Sequence, residues 1–210
     1  MADTIALYDE RSAAILEAVK LAFAEKGFDG ASMQDLARAA GMSAGNFYRY
    51  FPSKSAIVAA MIARDLDSVG RDFEIVQTSN DPLGALKRKF VERIDNLACE
   101  NGPLWSEIDA VALRSPEIGE IVGRMEREVQ LYLTAVFARI SGLSPEAARL
   151  RFSGHAAFLM LLFKGASYRL SGRGCQLPDD ARMNLRDLII STIDRTLTDI
   201  ASPGDVNETS

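Results

Sequence analysis

The sequence predicts an all-α fold, with an N-terminal three-helix helix-turn-helix module followed by a C-terminal bundle of longer helices. Three observations carry this. Apolar residues recur at the spacing of amphipathic helices, and no segment shows the strict alternation of a half-buried strand. Proline and glycine stand as punctuation between long segments, not at the roughly 8 to 12 residue spacing of an all-β chain. Helix starts also repeat one device. Ser115-Pro116-Glu117 and Ser144-Pro145-Glu146 each set a capping hydroxyl, a proline at the first helical position and an acid against the helix dipole.

A first helix runs to about Lys26 with Ile15, Val19, Leu21, Ala22 and Phe23 inward, and Gly27 supplies its left-handed stop. Ser32, with Asp35 three residues on, caps a short helix carrying Met33, Leu36, Ala37 and Ala40 that ends at Gly41. Ser43 caps another, Ala44 to about Tyr50. It closes at Phe51-Pro52, because the residue before a proline is pushed out of the α region. Ser53 opens a long amphipathic helix to about Val76. Further helices are expected over 82–101, 103–114, 116–141, 145–171 and 178–201, with a loop at 172–175 and a frayed tail at 202–210.

The helix at 145–171 is apolar nearly all round, with Leu150, Phe152, Phe158, Leu159, Leu161, Leu162 and Phe163, so it should be buried on every side. The last helix gathers Leu185, Leu188, Ile189, Ile193, Leu197 and Ile200 on one stripe, suited to closing a four-helix interface with a second copy.

Composition narrows the chemistry. With 210 residues, 48% of them hydrophobic, and a net charge of -5, the chain is an ordinary globular one. One histidine and two cysteines, Cys99 and Cys175, with 75 residues between them, leave no spacing for a zinc site, so no metal or cofactor is expected. Asp179-Asp180 are ordinary first-turn acids, Gly172-x-Gly174 lacks the rest of a dinucleotide loop, and no nucleophile–base pair is evident, so no enzyme is expected. The longest apolar run, Ala156 to Phe163, is eight residues, far short of the roughly 18 of a membrane span. No secretory pattern opens the chain, so the expectation is a cytoplasmic protein with no membrane partner.

The acidic total hides a basic segment: between Lys26 and Arg64 stand five basic and two acidic residues. Two short helices separated by Gly41-Met42 have helix-turn-helix dimensions, the second sized to enter a major groove. Leu36, Ala37, Ala40, Met42, Phe47 and Phe51 would form the core with Phe23 and Phe28. That leaves Ala44, Gly45, Asn46, Tyr48, Arg49 and Tyr50 on the surface. Tyr48, Tyr50 and Lys54 then read as phosphate anchors, and Arg49 and Asn46 as base readers.

The stretch GFDGASMQDLARAAGMSAGNFYRYFPSKSAIVAAMI resembles the DNA-binding segment of the TetR family of bacterial transcriptional regulators. Gly27-Phe28, Ser32, Asp35-Leu36-Ala37, Ala40-Gly41-Met42-Ser43, Phe47-Tyr48, Tyr50-Phe51 and Lys54 carry the resemblance. Tyr50, Asn46 and Ala31 depart from the residues most frequent in that family. The resemblance implies a DNA-binding domain at 1–54, an effector-binding and dimerisation domain at 55–201, and a homodimer formed largely by the last two helices. The function it implies is a ligand-responsive regulator acting as a repressor on a palindromic double-stranded operator. Ser32, Ser43, Ala44, Gly45, Asn46, Tyr48, Arg49, Tyr50 and Lys54 make up the expected DNA-binding set. The alternative is an all-helical small-molecule-binding enzyme or adaptor that does not touch DNA.

Helices between 82 and 171 supply large apolar and polarizable side chains with few polar groups, the make-up of a small-molecule cavity. Phe90, Ile94, Trp105, Met125, Tyr132, Phe152, His155 and Leu159 are its expected walls. The effector is then an apolar or aromatic compound with one polar handle.

Overall fold

The computed structural model describes residues 2–97, 102–170 and 177–202, and among these every regular element is an α-helix. In chain order they are α1 (Ala2–Lys26), α2 (Met33–Ala39), α3 (Ala44–Tyr50), α4 (Lys54–Thr78) and α5 (Pro82–Leu97). They continue with α6 (Gly102–Ala112), α7 (Pro116–Ser141), α8 (Pro145–Leu170) and α9 (Asp179–Ala201). The expected loop at 172–175, the tail beyond Ser202, the stretch 98–101 and both cysteines lie outside the described residues.

Local chemistry sets the boundaries. Gly27 ends α1 at φ +75° and Gly41 follows α2 at φ +64°, the left-handed conformation that a Cβ disfavours. At α2 the Ser32 hydroxyl accepts the Asp35 N–H at 3.1 Å and the Asp35 carboxylate accepts the Ser32 N–H at 3.0 Å, a reciprocal capping box. Ser53 and Ser144 accept the N–H groups of Ala56 and Ala147 at 3.1 and 3.2 Å. At Ser115 the backbone carbonyl accepts the Gly119 N–H at 2.8 Å, as the Ser53 and Ser144 carbonyls accept those of Ile57 and Ala148.

Two compact units result, Met1–Asp65 with Pro103–Gly123, and Leu66–Gly102 with Arg124–Ser210. In the first, Val19 and Phe23 of α1, Leu36 and Ala37 of α2, Phe47 of α3 and Ile57 and Val58 of α4 are buried, with Ile108 of α6. Phe23 and Phe28 stack with ring centres 5.2 Å apart. The core of the second joins Leu86 and Ile94 of α5, Leu133, Val136 and Phe137 of α7, Phe152, Ala156 and Leu159 of α8, and Ile193, Leu197 and Ile200 of α9.

Several expectations are corrected. Leu21 is exposed, because two residues beyond Val19 carries a helical side chain about 200° round from the inner stripe. Ala40 and Met42 are only half-buried. Helix α8 is not buried on every side: Leu150 and Leu161 are 78% and 66% exposed. They lie on a stripe with Gly154, Ala157, Phe158, Gly165 and Tyr168, all exposed and opposite the buried row. Leu188 of α9, 58% exposed, is likewise outside the buried stripe of Ile189, Ile193, Leu197 and Ile200.

Candidate nucleic-acid interface

Helix α3 is two turns long and fixed at both ends. Ser43 caps it by accepting the Asn46 N–H at 3.4 Å, and Phe51 closes it in extended backbone. Phe47 is fully buried and pins the helix to the core, with its ring 5.8 Å from that of Phe51. At 100° per residue this orientation turns Ala44, Gly45, Tyr48 and Arg49 to one outer face, and all four are exposed. A Cβ at Gly45 would meet nothing within 4 Å, so the surface there is flat and open.

Asn46 and Tyr50, four residues apart, share the flank of the helix and are half-buried. The Tyr50 ring lies 6.4 Å from Phe51. Of the expected set, Ala44, Gly45, Tyr48 and Arg49 are thus brought together, and Asn46 and Tyr50 stand beside them. The hydroxyls of Ser32 and Ser43 are used as caps.

Lys54, at the start of α4, is turned into the protein. Its ammonium donates to the Phe28 carbonyl at 2.7 Å and to the Asp29 carbonyl at 3.1 Å, and lies 5.2 Å from the centre of the Phe28 ring. The α1–α2 loop is held from a second side by α6. The Glu107 carboxylate accepts the Phe28 N–H, and the Arg114 guanidinium pairs with Asp29 while donating to the Ala110 carbonyl at 3.0 Å. The buried Phe28 explains this clamp, since backbone carried inward by an apolar side chain must find partners.

Sequence reasoning missed Glu107 and Arg114 because their partners lie 79 and 85 residues away. At the start of α2, Lys26 and Ser32 together hold the Asp35 carboxyl well below the usual carboxylate range, the Lys26 bond contributing most.

The expected effector-site residues fall in both units. Ile94, Phe152 and Leu159 are buried in the core of the second, and Phe90 packs against them half-buried. His155 meets Phe152 edge-on at 5.3 Å. Tyr132 packs on Phe73 at 5.5 Å and donates to Glu128 at 3.1 Å, and that carboxylate pushes the phenol's pKa up. Met125 is half-buried in the second unit; Trp105 is half-buried in the first. Among the described residues no three histidine, cysteine or acid side chains are grouped to hold a metal ion, and no helix is long and apolar enough to cross a membrane.

Residues 15–61 match the family of bacterial regulatory proteins, tetR family. An uncharacterized HTH-type transcriptional regulator of Bacillus subtilis, YuxN, is 30% identical over 89 residues, 42% of this chain and 31% of that protein. The HTH-type transcriptional regulator EthR of Mycolicibacterium smegmatis is 39% identical over 83 residues, 38% of each chain. The chain thus matches only about a third of the length of these relatives, 31% of one and 38% of the other. The solved structure of Salmonella enterica GusR superposes with a TM-score of 0.70 at 24% identity, over 92% of this chain and 96% of that one, which establishes a shared fold.

Proposed function

We propose that this chain, which carries the N-terminal module of the tetR family of bacterial regulatory proteins, is a ligand-responsive repressor that binds a palindromic operator as a homodimer. The observation that carries the proposal is the outer face of α3, where Ala44, Gly45, Tyr48 and Arg49 are presented together on a helix anchored by Phe47. Small residues at its first turn permit close approach to base edges. Arg49 suits the bidentate pairing that reads guanine, and the Tyr48 hydroxyl suits a phosphate oxygen.

Dimerisation fits the outward stripe of α8. Leu150, Phe158 and Leu161 would not remain in water without a partner surface, and Gly154 and Gly165, where a Cβ would meet nothing within 4 Å, leave room for another helix to approach. Two recognition helices would then face successive major grooves about 34 Å apart. A small molecule bound among the helices of the second unit would change that separation. Operator affinity falls only by the effector's differential affinity for the two arrangements.

Selection of operator sequences from a random duplex pool with purified protein tests the proposal. A two-fold symmetric consensus is expected, bound with an affinity that weakens steeply with salt. Failure to enrich any sequence refutes it.

A further inference from the structure

A glycine gives up more backbone freedom on folding than any other residue and has no side chain to pack, so its place in a fold needs a physical reason. Gly27, Gly41, Gly30 and Gly119 of the first unit each have one. The first two stand in the left-handed region at φ +75° and +64°. A Cβ at Gly30 would strike the Lys26 carbonyl, and one at Gly119 would lie 2.9 Å from the carbonyl of Ala112. Gly45 has neither reason. It lies within α3 in ordinary helical backbone, is exposed, and a Cβ there would meet nothing within 4 Å. Nothing in the folded chain accounts for the missing side chain, whereas an external surface brought close to the backbone does.

The place of Gly45 on the helix says where that surface lies. At 100° per residue from the buried Phe47, Gly45 and Arg49 form the row that points directly outward, with Ala44 and Tyr48 on one side and Asn46 and Tyr50 on the other. In each row the earlier residue is short and the later one long. The helix therefore tapers, and its first turn goes deepest. A major groove about 12 Å wide leaves little room round a helix about 10–12 Å across, so the position without a side chain is where backbone reaches the base edges. The atoms presented outward there are carbon, the Gly45 Cα and the Ala44 Cβ. Their apolar counterpart on the major-groove edge is the C5 methyl of thymine.

We infer that Gly45 determines the specificity of the recognition helix, the space left by its missing side chain receiving the C5 methyl of one thymine in each half-site of the operator. This rests on the reading of α3 as a helix that enters the major groove, and it adds a base preference to that reading. Uracil carries the same hydrogen-bonding groups as thymine and lacks only the methyl, so the two bases isolate the contact. A methyl placed on the protein at this position competes with the methyl of the base for one space.

The test starts from the operator selected with the full chain and replaces its thymines in symmetric pairs by deoxyuridine, read by gel shift with wild type and with Gly45→Ala. One pair should weaken wild-type binding, by about fourfold per half-site for the loss of one buried methyl. Gly45→Ala should bind the thymine operator about tenfold or more less tightly than wild type, and deoxyuridine at that same pair should restore most of the loss. Without DNA the variant should melt about 1–3 °C above wild type, since alanine suits a helix better than glycine. Equal operator binding by Gly45→Ala, a loss that deoxyuridine at that pair does not relieve, or a variant that melts below wild type overturns the inference. So does a wild-type scan with no sensitive pair, which decides even where the variant fails to fold. Failure to select any operator removes the regulator reading and this inference with it, whereas a selected operator with no sensitive thymine removes this inference alone.

Discussion

Replacing Lys54 by methionine keeps the length and apolar stem of the side chain on the Phe28 ring and removes the charge. Two hydrogen bonds to carbonyls and one cation–π contact are lost. A bond from a charged donor contributes about 1.5–3 kcal/mol; the one to Asp29 is exposed and water replaces most of it, so only the part-buried one to Phe28 counts fully. The ring contact adds roughly 0.5–1 kcal/mol at this exposure. A loss of about 2–4 kcal/mol follows, and at about 2–4 °C per kcal/mol for a chain of this size the melting temperature should fall by about 4–16 °C. The assay is a thermal melt paired with operator affinity across a salt series. A phosphate anchor would lower the salt slope by about one when removed. A bracket that holds the α1–α2 loop would instead weaken binding to every sequence with the slope unchanged, and that is the result expected. Intact stability with a reduced slope refutes the reasoning and returns Lys54 to the DNA.

Ser32→Ala removes the α2 cap and should cost about 1 kcal/mol in urea unfolding, with Ser32→Gly less harmful because glycine is tolerated at that position. The depressed Asp35 carboxyl contributes stability that is present above its unfolded pKa of about 3.9 and lost as pH falls through that value toward the folded one. The advantage of wild type over Asp35→Asn should therefore be constant from pH 7 to about 5 and shrink below about 4; an advantage that grows with acid contradicts the sign. Glu107→Ala should destabilise by about 1–2 kcal/mol, since it strips the acceptor from the part-buried Phe28 N–H, while Glu107→Gln recovers most of the loss through its amide oxygen. Leu161→Asp places a charge on the outward stripe of α8 and should give helical monomers in sedimentation; a well-folded dimer would remove this face from the interface.

What the sequence made legible was local. Gly27, Gly41, Ser32, Ser43 and Pro52 each act within a few residues of themselves, so the boundaries of the first three helices could be read from chain chemistry. The outer face of α3 was half legible. Periodicity separates Phe47 from Ala44, Gly45, Tyr48 and Arg49, but in a helix of seven residues it could not show that Asn46 and Tyr50 would sit on the flank. The clamp on the α1–α2 loop was not legible, because no local rule pairs Glu107 with a backbone amide 79 residues earlier. Leu21 was misread for a simpler reason. Its phase along α1 outweighs its hydrophobicity, and at that phase a leucine remains on the surface.

Elsewhere the disagreement between residue type and environment points to function. In a sequence whose local and global preferences agree, apolar side chains go in and charges go out; departures mark positions held for another purpose. Leu150, Leu161 and Leu188 are apolar and outward, which a second copy of the chain would resolve. Lys54 is charged and inward, and two loop carbonyls resolve it within the chain.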